Sequence, residues 1–158
     1  MCLTVTLTGC ITTAKPVKYL APSNSNASLI LQYERSKIEG DGKVALIHIY
    51  KDAERCKGKQ IAGFMQPGGQ QKLAVSSESP LSFSITSFTL ERHNNLNCNL
   101  YGTFTPQANT AYYATYTFTN ERCTVKAYGR NQTGIVAVDL EQRRYKNDSW
   151  SDDPSWCK

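Results

Sequence analysis

The sequence predicts an all-β domain, an antiparallel β-sandwich of about 7–9 strands. Three observations predict it. Aromatic and β-branched residues are plentiful beside Asn, Ser, Thr and Gly, a mixture that suits pleated, half-buried surfaces. Short runs alternate apolar and polar residues with a period of two. Turn residues punctuate those runs, and neither helical periodicity nor an internal repeat is present. At 158 residues the chain is long enough to bury a real core as one domain.

The strands follow in order. Leu29 to Glu34 is a short first candidate, and Lys43 to Lys51 is apolar on both faces, as a central strand should be. Gln60 to Met65 and Lys72 to Ser76 flank Pro67-Gly68-Gly69, a turn signal. In Pro80 to Leu90, Leu81, Phe83 and Ile85 alternate with Ser82, Ser84 and Thr86, the pattern of a half-buried strand. Asn97 to Thr105 places Cys98, Leu100, Gly102 and Phe104 on one face. Ala111 to Thr119 places Tyr112, Ala114, Tyr116 and Phe118 on one face and Tyr113, Thr115 and Thr117 on the other. Arg122 to Tyr128 groups Cys123, Val125 and Ala127 behind a tight turn at Asn120-Glu121. A last run, Gly134 to Leu140, alternates Val136, Val138 and Leu140.

The first residues read differently. Met1 to Gly9 are apolar and uncharged and end in a small residue before Cys10, like the end of a signal peptide with its cleavage site. The alternative is a first strand, because Leu3, Val5 and Leu7 alternate with threonines. Ile11 to Ser28 is broken by Pro16 and Pro22, ends in a Ser/Asn tract and reads as a flexible tether. Such a tether would span on the order of 25 Å. The expected organisation is therefore a removed segment 1–9, a tethered Cys10 over 10–28, and a sandwich domain over 29–158.

Leu7-Thr8-Gly9-Cys10 resembles the bacterial lipobox: an aliphatic residue, two small residues, then the cysteine that is acylated. The resemblance implies a diacylglycerol on the Cys10 sulfur, cleavage before it, and a membrane anchor. A thiol suits that alkylation because it is the most nucleophilic side chain near neutral pH, and two or three acyl chains together hold stably. The positive region expected of a signal peptide is missing before the apolar run, which places the true start upstream of Met1 or makes the sequence a truncated one. Ile11, where an aspartate would retain such a protein at the inner membrane, implies the periplasmic face of the outer membrane. The later order of features also resembles small bacterial lipoproteins with a β-sandwich domain: a strand ending in Tyr50, Cys98, the Phe104-Thr105-Pro106 turn, the Tyr-rich strand and Cys123. That likeness carries no active residues with it.

With Cys2 in the leader and Cys10 lipidated, Cys56, Cys98, Cys123 and Cys157 remain, an even set that implies two disulfides in an oxidising compartment. Matching core positions and matching loop positions favours Cys98–Cys123 with Cys56–Cys157. If the strands run as consecutive hairpins, the strand between Cys98 and Cys123 separates them too far, and Cys56–Cys98 with Cys123–Cys157 is the alternative. A zinc site lacks paired C-x-x-C spacing.

No motif of a hydrolase, zinc protease, phosphate loop or dinucleotide site occurs. His48 lies in a strand and His93 in a polar loop, each without a motif companion. Asp148, Asp152 and Asp153 lack calcium-loop spacing. The expectation is therefore no catalytic residue, no metal and no cofactor, with a site assembled only in space as the hydrolase alternative. The formal charge of +5 is modest. Its cations, at Lys51, Arg55, Lys57 and Lys59 and at Arg143, Arg144 and Lys146, are interrupted by acids, which argues against a nucleic-acid patch. Tyr112, Tyr113, Tyr116 and Tyr128 form the best candidate binding group, since tyrosine combines contact area with a polar handle. Packing puts Tyr112 and Tyr116 in the core, leaving Tyr113 and Tyr128 as the binding surface or as ordinary cross-strand neighbours. Trp150 and Trp156 fit a tail packed back on the domain. The expected role is a lipid-anchored binding or envelope-structural protein with a protein partner, the alternative being an immunity or inhibitor lipoprotein for a periplasmic enzyme or toxin.

Overall fold

The structure is a computed structural model that describes residues 16–34, 43–89, 98–119 and 122–143. Ten strands lie among the described residues: β1 (Ala27–Tyr33), β2 (Lys43–Asp52), β3 (Lys57–Met65), β4 (Gln70–Val75), β5 (Leu81–Thr89), β6 (Cys98–Phe104), β7 (Ala111–Thr119), β8 (Arg122–Asn131), β9 (Gly134–Ala137) and β10 (Glu141–Arg143). They form two five-stranded sheets, sheet I in the order β4-β1-β7-β8-β9 and sheet II in the order β10-β6-β5-β2-β3. The chain is a β-sandwich. The tenth strand, three residues long, is the one without a readable period. It exists because Glu141, Gln142 and Arg143 pair with Thr103, Gly102 and Tyr101 along β6.

Alternation places the core between the sheets. Leu29, Leu31 and Tyr33 of β1 and Tyr112, Ala114, Tyr116 and Phe118 of β7 point inward and meet Ile47, Ile49, Phe83, Ile85 and Phe104 from sheet II. Phe104 packs against Tyr112 across the sandwich, ring centroids 4.8 Å apart, and Tyr33 meets Tyr116 edge-on at 5.0 Å. Such geometries suit the ring quadrupole. Tyr116 also donates its hydroxyl to Ser87 Oγ of β5 at 2.7 Å, so a polar bond ties the sheets at depth.

Three features depart from expectation. The pairing of β1 with β7 is parallel, whereas every other strand pair is antiparallel. Strands β2 to β6 intervene in sequence between β1 and β7, giving the long crossover that a parallel pair requires. In β5, Ser82 and Ser84 are as buried as Phe83, so this strand is enclosed on both faces rather than half-buried. Their hydroxyls are satisfied by hydrogen bonds, which removes the cost that sequence hydropathy would assign to them.

The expected tether is docked over its second half. Ile61 N–H donates to Val17 O and Tyr19 N–H to Ile61 O, both at 2.8 Å, so Lys18 forms a parallel bridge on the β3 edge. The Tyr19 hydroxyl reaches Ala74 O of β4 at 2.7 Å. Residues 17–19 thus join the β3 edge of sheet II to the β4 edge of sheet I and cover a side where backbone groups need partners. Ala27 and Ser28, assigned to the tether by sequence, belong to β1. Proline punctuation signals an interruption of periodicity, and edge pairing can still hold the segment.

The Pro67 turn follows its sequence signal. Gly69 N–H donates to Gln66 O at 2.7 Å, and Gly68 takes φ of 85°. Proline at the first central position and a left-handed glycine at the second make a type II turn.

Candidate binding face

The outward face of sheet I is built by alternation and register. Behind the inward residues of β7 and β8 stand Ala111, Tyr113, Thr115 and Thr117, and Arg122, Thr124, Lys126, Tyr128 and Arg130. Register aligns Ile30 of β1 with both Lys72 of β4 and Tyr113 of β7, Tyr113 with Tyr128, and Tyr128 with Ala137 of β9. A row Lys72–Ile30–Tyr113–Tyr128–Ala137 therefore crosses all five strands. At about 4.8 Å between strands it is roughly 19 Å long. The Tyr113 and Tyr128 rings stack with centroids 5.1 Å apart and planes 14° from parallel. Tyr128 is 44% exposed and Ile135, one row away beside Arg130, is 79% exposed.

The outward strand positions of this face carry charge of one sign. Lys72, Arg122, Lys126 and Arg130 are outward and exposed, and no outward strand position of sheet I carries Asp or Glu. The nearest carboxylate on β1 is Glu34, just past the strand, which accepts a hydrogen bond from Thr117 Oγ1 at 3.2 Å. A shallow cleft of about 520 Å³ opens beside the middle of the row, at the ends of β1, β7 and β8, where Tyr113 and Arg130 meet Asn26, Asn109 and Gln132.

Sheet II presents a buried polar stripe instead. The Tyr50 hydroxyl lies 3.0 Å from Ser84 Oγ, which lies 3.4 Å from His48 Nδ1. Ser82 Oγ donates to Ala53 O at 2.8 Å and sits 2.6 Å from Thr103 Oγ1. Burial, aided by the Lys59 cation, lowers the His48 pKa to about 4, so the imidazole is neutral in the fold. Burial also raises the Tyr50 phenol to about 12, partly offset by its bond to Ser84. A histidine with a depressed folded pKa takes up its proton more readily when unfolded. Stability is therefore retained above about pH 6.5 and lost as pH falls towards 4. Urea titrations at pH 7 and pH 4.5 should show the wild type losing about 1–3 kcal/mol more than His48→Asn over that interval; equal losses would contradict a neutral buried His48.

The sequence-predicted residues separate as follows. Tyr112 and Tyr116 are core, 3% and 0% exposed, while Tyr113 and Tyr128 meet on the outward face. Cys98 and Cys123 are joined in a disulfide with Cα atoms 6.1 Å apart. The hairpin objection fails because β6 lies in sheet II and β8 in sheet I, so the bridge spans the sandwich and does not skip a strand within one sheet. Cys56 is buried and disulfide-bonded. Cys10, Cys157, His93, Trp150, Trp156 and the aspartates at 148, 152 and 153 lie outside the described residues. Among the described residues no group of three or more His, Cys, Asp or Glu is arranged to hold a metal. Another cleft, of about 490 Å³, opens between Glu54, Gln107 and Asp139, where the Arg143 guanidinium pairs with Glu141 at 3.0 Å.

Sequence reasoning missed Ile30, Lys72, Lys126, Arg130 and Ile135 as members of the face. The signal was present in β8, whose alternate positions read Arg122, Thr124, Lys126, Tyr128, Arg130. Their union with Lys72 and Ile30 depends on long-range register. No protein-family model matches this chain, and no curated protein does either.

Proposed function

We propose that the chain is a lipid-anchored binding protein of the bacterial envelope, held through Cys10 at the periplasmic face of the outer membrane. It acts by capturing a protein partner on the outward face of sheet I. The observation that carries this reading is the stacked Tyr113–Tyr128 pair, standing with exposed Ile135 among the lysines, arginines and threonines of the outward face. Exposed aromatic and aliphatic groups of this kind are what interface centres use. The docked strap supports the anchor geometry. From Cys10 to Val17 the chain can span at most about 25 Å, so the domain stays close to the bilayer. A periplasmic enzyme or toxin as partner would make the protein an inhibitor or immunity factor.

Two measurements test the reading. Palmitate labelling in cells should be abolished by Cys10→Ser, and undiminished labelling would overturn the anchor. Capture from detergent-solubilised envelope should recover a partner with the wild-type chain and lose it at least about tenfold with Tyr113→Thr/Tyr128→Thr. Threonine keeps strand propensity, so equal capture by the variant would overturn the face.

A further inference from the structure

We infer that the surface received by sheet I is an acidic protein surface, with carboxylates flanking an apolar strip. The inference rests on the binding face proposed above and deepens it. Four cations, Lys72, Arg122, Lys126 and Arg130, are outward and exposed, with no carboxylate among the outward strand positions of sheet I. Elsewhere among the described residues the signs are mixed, as around Lys51, Asp52, Glu54, Arg55, Lys57 and Lys59 and at Glu141 and Arg143.

The placement of these cations decides the partner's chemistry. Lys126 and Arg130 stand two residues on either side of Tyr128 along β8, roughly 7 Å from it each way. Lys72 closes the far end of the tyrosine row. The aromatic pair is therefore framed by positive charge on three sides. A partner with acidic groups around an apolar centre matches this frame: its apolar strip covers Ile30, Tyr113 and Tyr128 and its carboxylates reach the lysines and the arginine. Arg130 also borders the cleft beside Tyr113, where a carboxylate could accept its paired N–H groups. A nucleic acid is less well matched. Nucleic-acid surfaces stack bases on open ring faces, and here the two tyrosines spend a face on each other. Complementary charge of this kind accelerates encounter and excludes basic partners.

The test uses the full chain as Cys10→Ser, which removes the lipid and separates this question from the anchor. A random Glu/Tyr copolymer serves as the acidic probe, a Lys/Tyr copolymer as the basic one, and oligothymidylate as the nucleic acid. Binding is followed by NMR shifts of backbone amides. The Glu/Tyr copolymer should bind at low salt, shift the amides of β7 and β8, and weaken as salt rises. Lys126→Glu/Arg130→Glu should lose at least about tenfold in affinity, and Lys126→Gln/Arg130→Gln, which adds no repulsion, should lose less. Failure of the Glu/Tyr copolymer to bind, equal binding of the Lys/Tyr copolymer, or indifference to the charge reversal would each overturn the acidic partner. Tighter binding of oligothymidylate would replace protein with nucleic acid. In all these cases the envelope capture by Tyr113→Thr/Tyr128→Thr reports separately on the face itself. If that capture is unchanged, the face falls; if it is lost, only the acidic character does.

Discussion

Tyr116→Ala should lower the free energy of unfolding by about 3–5 kcal/mol in urea titrations. The side chain is fully buried between the sheets, packs edge-on against Tyr33, and donates to Ser87, itself 1% exposed. Truncation removes the ring, opens a cavity and leaves the Ser87 hydroxyl without that bond. These losses fall on one site, and a close-packed interior relaxes only in part. Tyr116→Phe separates the contributions: it keeps the ring and should cost about 1–3 kcal/mol for the unpaired serine. A loss under about 1 kcal/mol for the alanine variant would mean that β7 does not sit at the centre of the core.

Removing the Cys98–Cys123 bridge should have the next largest effect. The bond closes a loop of sequence separation 25 and joins β6 of sheet II to β8 of sheet I. In the chain-entropy account such a loop contributes about 3.5 kcal/mol by restricting the unfolded chain. Cys98→Ala/Cys123→Ala should therefore lose about that much stability, in a background where Cys56 keeps its own bond. Both cysteines are only partly buried at the rim of the core, so little packing is lost with the sulfurs and the effect reads the cross-link. An unaltered urea midpoint would show that the two sheets are held without it.

The fold was legible wherever local pattern decides. Period-two alternation marked β6, β7 and β8 with their inward faces, because one face of each meets a core of aromatic and aliphatic side chains. The Pro67-Gly68 turn was legible because a left-handed backbone position selects glycine. Sheet membership was not legible. Whether β6 pairs with β7 or crosses to the other sheet is settled by long-range pairing, and on it hung the choice between the two disulfide schemes. The parallel β1–β7 contact and the docking of Val17 and Tyr19 on Ile61 are non-local in the same way.

The candidate site was half readable. Tyr113 and Tyr128 were separable from Tyr112 and Tyr116 by alternation alone. Their stacking follows from register, as does the framing by Lys72 and Ile30. The basic groupings that stand out in sequence, around Lys51 to Lys59 and Arg143, are accompanied by acids and include the Asp52–Arg55 and Glu141–Arg143 pairs. The cations of the outward face lie instead at every fourth residue of β8 and on β4, where a linear scan dilutes them among other side chains. The burial of Ser82, Ser84 and His48 was invisible for a related reason: hydropathy reads a hydroxyl as solvent-facing, and the partners that satisfy these groups come from neighbouring strands.

Site-directed photo-crosslinking in cells tests the central claim most directly. A benzophenone amino acid is placed at Thr115, outward on β7 and paired with Lys126, and in a second strain at Phe64, 61% exposed on β3 of sheet II. The account predicts a discrete adduct to one envelope protein from position 115 and none from position 64. An adduct from position 64 with none from position 115 would contradict it.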